Sequence, residues 1–318
     1  MYRIDDPSAS PTLPVPEAAL TEGYWTEGNP GTGTPATLER ASWFNMVQEE
    51  LCSLLAAAGI TRSKTTYNQV NAALQKMYGP VIGTARNLAM NVGTASATAT
   101  LTADEIVVGA APGGQKYILP SFNKTVNLAT TGAGGMDTGT APTSGYVALY
   151  AIWNPTTSTA ALLATNAATL QGNIYGGANM PAGYTASALI SVWRTDSSGR
   201  FLVGAQIDRD IYLTNTSAFA GTTSQASYTA LSIANIAPLN AKQVIGTAST
   251  IPGTVTSGSE IDIAGSTTGV GRCGQSAASG QSNSYFKVPL LTPQTIYYIT
   301  TVVSGTLTIN VAVSGYSI

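Results

Sequence analysis

Histidine is absent from this chain of 318 residues, cysteine occurs twice, and charged residues make up only 9% of it. Each shortage closes a class of chemistry. Without histidine there is no Ser-His-Asp triad, no Cys-His dyad and no imidazole-held metal. Two cysteines, Cys52 and Cys273, are too few and too far apart in sequence for a disulfide framework. Fourteen Lys and Arg residues spread along the chain do not make the footprint of a nucleic-acid binder. No window approaches the roughly 18 apolar residues of a membrane-spanning helix, so membrane insertion is not expected. The opening Met1-Tyr2-Arg3-Ile4-Asp5-Asp6-Pro7 lacks the apolar run of a signal peptide. The expectation is synthesis in a cytoplasm without export by a cleaved signal.

What remains is rich in Ser, Thr, Ala and Gly, 44% hydrophobic and formally −2 in charge. A disordered chain pairs low hydrophobicity with high net charge, and neither holds here, so the chain folds. With so few charges, its surface must stay soluble through hydroxyls and backbone, or be covered by partner chains.

Three composition zones follow one another. In the first, residues 1–85, six of the 16 prolines precede residue 36 and half of the acidic residues precede residue 51. Proline at that density keeps a chain extended. Within this arm, Tyr24 and Trp25, just ahead of Asn29-Pro30, are large aromatics that argue for docking onto something. Two helices follow. From Ser42, the positions Trp43, Val47, Leu51, Leu54, Leu55 and Ala58 recur at helical spacing, and Gly59 stands where a left-handed residue ends a helix. A second helix is expected from Thr66, with Gln69 completing a capping box and Gly79-Pro80 closing it.

From residue 86 to 215 the apolar period shortens to two, in short strands punctuated by turn clusters such as Pro112-Gly113-Gly114 and Asp196-Ser197-Ser198-Gly199. The last zone, 216–318, holds only five charged residues: Lys242, Glu260, Asp262, Arg272 and Lys287. It ends in a segment that reads as a hairpin, Thr295 to Val303 and then Leu307, Ile309, Val311 and Val313 alternating with polar or small residues. The stretch Gly265 to Gln281 reads as a surface loop. The fold class expected is mainly β: an extended arm with two helices, then two antiparallel sandwich-like or barrel-like domains, 86–215 and 216–318.

Candidate chemistry is thin. A glycan-cleaving enzyme needs two carboxylates about 5–10 Å apart. The available pairs are Asp104-Glu105, Asp208/Asp210 and Glu260/Asp262. Adjacent acids on a strand point to opposite faces, and Arg209 separates the second pair. Gly28 to Thr34 lacks the Gly-Lys-Ser/Thr ending of a phosphate loop. No catalytic residue, cofactor or metal ligand is expected. Trp153 and Trp193 sit in strand patterns and read as core. Of the adjacent Tyr297 and Tyr298, one must face outward.

Several segments resemble the modular tail fibres of tailed bacteriophages. Glu27 to Thr37, then Trp43 to Leu51, Ala58-Gly59-Ile60 and Tyr67 to Val70 are similar to the module by which such fibres join the tail. Thr102 to Val107, Gly135 to Gly139, Ile152 to Pro155, Met180 to Thr185 and Trp193 to Asp196 are similar to a β-rich module of the same proteins. The resemblance covers residues 1 to about 215 and implies a virion protein, a homotrimer fixed to the tail or baseplate by its N-terminus. Its C-terminal domain would face outward, toward a host-surface glycan or outer-membrane protein. On this reading Tyr24, Trp25, Asn29 and Pro30 serve attachment, and Arg272, Tyr285 and Tyr298 serve receptor binding. Two alternatives stand beside it: an adaptor carrying a separate receptor-binding protein, and a glycan depolymerase.

Overall fold

The computed structural model describes residues 2–254 and 256–318. The chain divides into two compact units, residues 1–79 and 80–318.

The first unit contains helices α1 (Ala41–Ala57) and α2 (Gln69–Tyr78). Helix α1 ends as its sequence demands: Gly59 takes a φ of +64°, and the Ile60 N–H donates to the Leu55 carbonyl at 2.8 Å. Helix α2 begins two residues later than the capping box at Thr66 implies, with Asn68 in place of Thr66 at its start and no side-chain cap from Asn68. The Gln69 side chain is engaged elsewhere. It accepts from the Ser63 N–H at 3.0 Å and donates to the Thr61 carbonyl at 2.7 Å, tying down the interhelical loop. Among the described residues of this unit only Cys52, Leu55, Ala58, Gln69 and Ala73 are buried.

The second unit is built entirely on strands: β1 (Ala85–Arg86), β2 (Ala89–Val92), β3 (Thr98–Gly109), β4 (Lys116–Asn127), β5 (Tyr146–Asn154), β6 (Thr159–Asn166), β7 (Ala186–Arg194) and β8 (Gly204–Ile207). They continue with β9 (Asp210–Gly221), β10 (Gln225–Ser232), β11 (Gln243–Pro252), β12 (Ser259–Ala264), β13 (Cys273–Ala277), β14 (Ser282–Pro289), β15 (Thr295–Val302) and β16 (Leu307–Ser317). A 12-stranded sheet runs β14-β11-β16-β9-β8-β2-β3-β7-β5-β6, with β1 and β4 also paired to β3; a 4-stranded sheet runs β10-β15-β12-β13. Pairing between these strands is antiparallel throughout. Ile261, Ile263, Ile296 and Tyr298 of the small sheet share one core with Val244, Phe286, Val288, Ile309 and Val311 of the large one, and that core continues back to Leu88. A second cluster, with Tyr150, Leu163 and Val192, lies on β5, β6 and β7 and includes Tyr175 from the segment between β6 and β7.

The mainly β class is as expected, with three differences in arrangement. The boundary expected at residue 215 falls inside β9, and both sheet and core pass through it, so 80–318 is one compact unit. Strands β15 and β16 are not a hairpin; they lie in different sheets. Each carries a single apolar stripe, and opposite layers let both stripes enter the same core. The segment Gly265 to Gln281 contains β13, which its small side chains conceal from any apolar alternation.

Candidate functional site

In the first unit, the turn at Asn29-Pro30 organises the arm. The Asn29 side chain accepts from the Gly31 N–H at 3.0 Å, and the Asn29 and Thr34 backbones exchange hydrogen bonds of 2.8 and 3.0 Å. Farther back along the same turn, the Thr37 N–H donates to the Thr26 carbonyl at 2.9 Å. Asn29 and Pro30 are thus turn-forming residues, and the aromatic they deliver is Trp25. Its ring meets Trp43 of α1 edge-on at 5.7 Å, and Trp43 meets Phe44 at 5.4 Å. Tyr24 beside it is 98% exposed.

The rest of the arm is held by ion pairs at the surface: Arg3–Glu49 at 2.6 Å, Lys64–Asp5 at 2.7 Å and Arg40–Glu17 at 3.2 Å. The hydrogen bond from Arg3 holds the Glu49 carboxyl below its ordinary range. Exposed pairs of this kind fix geometry more than they stabilise. Between arm and helix runs a groove of about 740 Å³, lined by Leu13, Pro16, Leu20, Trp25, Trp43 and Met46 among others. A second, of about 840 Å³, is lined by Tyr2, Ile4, Phe44, Val47, Tyr67 and Val70 among others. The first two turns of α1 therefore offer apolar side chains to both grooves. Trp43 and Val47 begin the apolar stripe of α1, but only the C-terminal half of that stripe, around Leu55, is buried. Phe44 and Met46, apolar residues off that stripe, were the available signal of a helix exposed on more than one side.

In the second unit, Arg272 joins the last carboxylate pair. Its Nε lies 2.8 Å from Asp262 Oδ2 and its terminal nitrogen 3.5 Å from Glu260 Oε1. The Thr301 hydroxyl donates to Glu260 Oε2 at 3.3 Å. Asp262 is buried, and burial pushes its carboxyl above the ordinary carboxylate range against the pull of Arg272. Its Oδ1 has no hydrogen-bond partner among the described residues and occupies the space where Gly274 would carry a side chain. Burial also raises the Tyr228 hydroxyl, assisted by the charge of Asp262. One guanidinium thus bridges both acids.

Of the three residues expected at a receptor surface, Arg272 and Tyr285 reach solvent, and Tyr285 is 86% exposed on the edge strand β14. Tyr298 does not. Along β15 the even positions face inward, so Tyr298 is 5% exposed and packs on Phe219 at 5.2 Å. Its neighbour Tyr297 takes the outer face, its hydroxyl 3.3 Å from that of Thr292.

The other acids serve local structure. Asp208 Oδ1 accepts from the Leu88 N–H at 3.1 Å, and Asp210 Oδ1 accepts from the Ser317 hydroxyl. Arg209 points away from both, donating to the carbonyls of Leu189 and Gly83. Asp104 accepts from the Asn87 amide at 2.6 Å, and both it and Glu105 are exposed.

Two stretches of known proteins match this chain in sequence. A defective tail fibre protein of the Mu-like prophage FluMu of Haemophilus influenzae is 40% identical over 78 residues. The uncharacterized protein StfP of Escherichia coli K12 is 38% identical over 77 residues. Each match covers 24% of this chain, and the chain spans only 12% of the first relative and 35% of the second. No protein-family model matches the chain. Among solved structures, a Cry1Da tryptic core variant of Bacillus thuringiensis is 9% identical with a TM-score of 0.20, covering 78% of this chain and 54% of that one. A viral particle of infectious bursal disease virus is 10% identical, also at 0.20, covering 77% and 74%. Scores this low carry no argument about fold or role.

Proposed function

We propose that this chain is a subunit of a phage tail fibre that joins the tail or baseplate through residues 1–79. On this reading it presents the β-sheet unit to a surface glycan or outer-membrane protein of the host. The observation that carries the reading is the imbalance of the first unit. It buries few side chains while Leu20 is 86% exposed and Trp25, Phe44 and Met46 about half exposed. Contiguous apolar surface of this kind marks an interaction site. The two sequence matches supply the context.

The fibre is proposed to be a homotrimer, since weakly charged sheet surfaces rich in small residues suit close packing of identical chains and three copies multiply weak receptor contacts. Its role is adhesive and not enzymatic, in line with the occupied carboxylates around Arg272.

The test uses fibre-deficient particles of the phage that encodes the chain. The full chain is expected to bind them and restore adsorption to host cells. A chain lacking residues 1–79 is expected to sediment free of particles. Particle binding that survives this deletion would refute the attachment role, and a monomeric mass in solution would refute the trimer.

A further inference from the structure

Accepting that the β-sheet unit is the part turned toward the host, the surface it offers can be specified further. A polar depression of about 470 Å³ lies on the outer face of β3 and β4. Strand alternation turns Thr102 and Asp104 of β3 outward, and Asn123 of β4 is paired with Thr102. Asn87, the residue after β1, donates from Nδ2 to Asp104 Oδ2 at 2.6 Å and so fixes the carboxylate. These four side chains and Ser121 line the depression, and all five residues are exposed.

The backbone departs from regular strand geometry at the same place. The ladder between β3 and β4 pairs Ala103 with Phe122 and Glu105 with Pro120, which leaves Asp104 opposite Ser121. Ser121 takes a φ of +49° in the middle of β4, and Asn87 a φ of +53°. Left-handed backbone is uncommon outside glycine, and strain of this kind gathers at ligand sites. The alternation of β3 lapses there too, with Asp104 and Glu105 both exposed. Two strained residues thus frame one carboxylate.

Asp104 Oδ1, the Ser121 hydroxyl and the Asn123 amide have no hydrogen-bond partner among the described residues, so acceptors and donors converge on the opening. No Lys or Arg lines the depression, which disfavours a phosphate or an acidic sugar. Its single carboxylate falls short of the oxygen-rich set that holds calcium. Nor does it offer an apolar wall, because Ala103 and Phe122, the remaining lining residues, are buried. Hydroxyl groups fit this lining, since each both donates and accepts. We infer that the depression binds a neutral saccharide. Asp104 accepts from adjacent sugar hydroxyls, while Asn123 and Ser121 donate to and accept from the next ones. Each contact is weak alone, and several copies of the chain multiply it.

The experiment titrates the full chain with the methyl glycosides of glucose, galactose and mannose and with N-acetylneuraminic acid, read by saturation-transfer difference NMR. At least one neutral glycoside is expected to bind at least tenfold more tightly than the acid. Asn123→Ala removes no side-chain hydrogen bond within the chain, so it is expected to keep the melting temperature while weakening that glycoside at least fivefold. Asp104→Ala is expected to weaken it at least tenfold. Binding of no neutral glycoside, equal binding of the acid, indifference to both variants, or a signal abolished by EDTA would each overturn the inference. The tail-fibre reading is scored separately on fibre-deficient particles, where Asn123→Ala, with residues 1–79 intact, is expected to dock. If the full chain docks and restores adsorption but binds no glycoside, the fibre reading stands and the saccharide site falls. If it binds a glycoside through Asp104 and Asn123 but never docks, the site stands and the fibre reading falls.

Discussion

At the residue scale, the closest-fitting contact of the second unit is the one between Asp262 and Gly274. The two are paired across β12 and β13. A Cβ built on Gly274 would stand 1.4 Å from Asp262 Oδ1, and the Ile261 carbonyl lies 2.9 Å away on the same side. Any side chain there must expel the carboxylate, and with it the bond to Arg272. Gly274→Ala is expected to destabilise the protein by about 1–3 kcal/mol, the usual range for overpacking. In an Asp262→Ala background the same change is expected to cost much less, because the obstructing atom is gone. A double-mutant cycle by chemical denaturation checks this, and additive effects would show that the contact does not govern the position.

At the scale of elements, the segment between β6 and β7 is pinned to the sheet by tyrosines. The Tyr175 hydroxyl donates to Asp137 Oδ2 at 2.8 Å, and the Tyr150 hydroxyl donates to the Gly172 carbonyl at 2.9 Å. The rings meet edge-on at 5.5 Å. Burial pushes both hydroxyls up to about 12, with the charge of Asp137 adding to the effect. In the unfolded chain a tyrosine ionises near 10. The fold therefore favours the neutral phenols, a contribution complete below about pH 10 and lost as pH rises toward 12. Thermal melts are expected to show a falling midpoint across that window. The double variant Tyr150→Phe with Tyr175→Phe is expected to be less stable at pH 8 but to lose less between pH 10 and 12. Parallel curves for the two proteins would refute the assignment.

Element by element, legibility in the sequence followed how directly each segment's burial is written in its side chains. Strand β16, with its alternation of Leu307, Ile309, Val311 and Val313, was readable because local pattern and burial agree, and helix α1 was readable from its spacing and Gly59 although only the C-terminal half of its stripe is buried. Strand β13 was not, since Cys-Gly-Gln-Ser-Ala has no alternation and its place is set by pairing with β12. The separation of β15 from β16 was equally hidden, because an apolar stripe states which face is buried but not which strand lies alongside. The candidate sites behave likewise. Trp25 could be singled out as a large aromatic in a proline-rich arm, whereas the meeting of Arg272 with Glu260 and Asp262 depends on the loop that returns over β12.

At the scale of the molecule, the question is whether residues 80–318 unfold as one body or as the two domains that composition alone suggests. Strand β9 belongs to both halves: Ile211 pairs with Gln206 of β8 on one side and Tyr316 of β16 on the other. The Tyr316 hydroxyl, fully buried, donates to the Val192 carbonyl of β7 at 2.7 Å, joining the last strand to the middle of the chain. With one core running from Leu88 to Tyr316, neither half can lose its packing without exposing the other. Calorimetry on residues 80–318 is expected to give a single transition with matching calorimetric and van't Hoff enthalpies. Tyr316→Phe, which strands the Val192 carbonyl, is expected to shift that whole transition downward by about 1 kcal/mol of stability. Splitting the chain after residue 215 is expected to yield two fragments that do not fold separately. Two resolved transitions, with only the later one moved by Tyr316→Phe, would mean that β9 is a seam and not a shared strand.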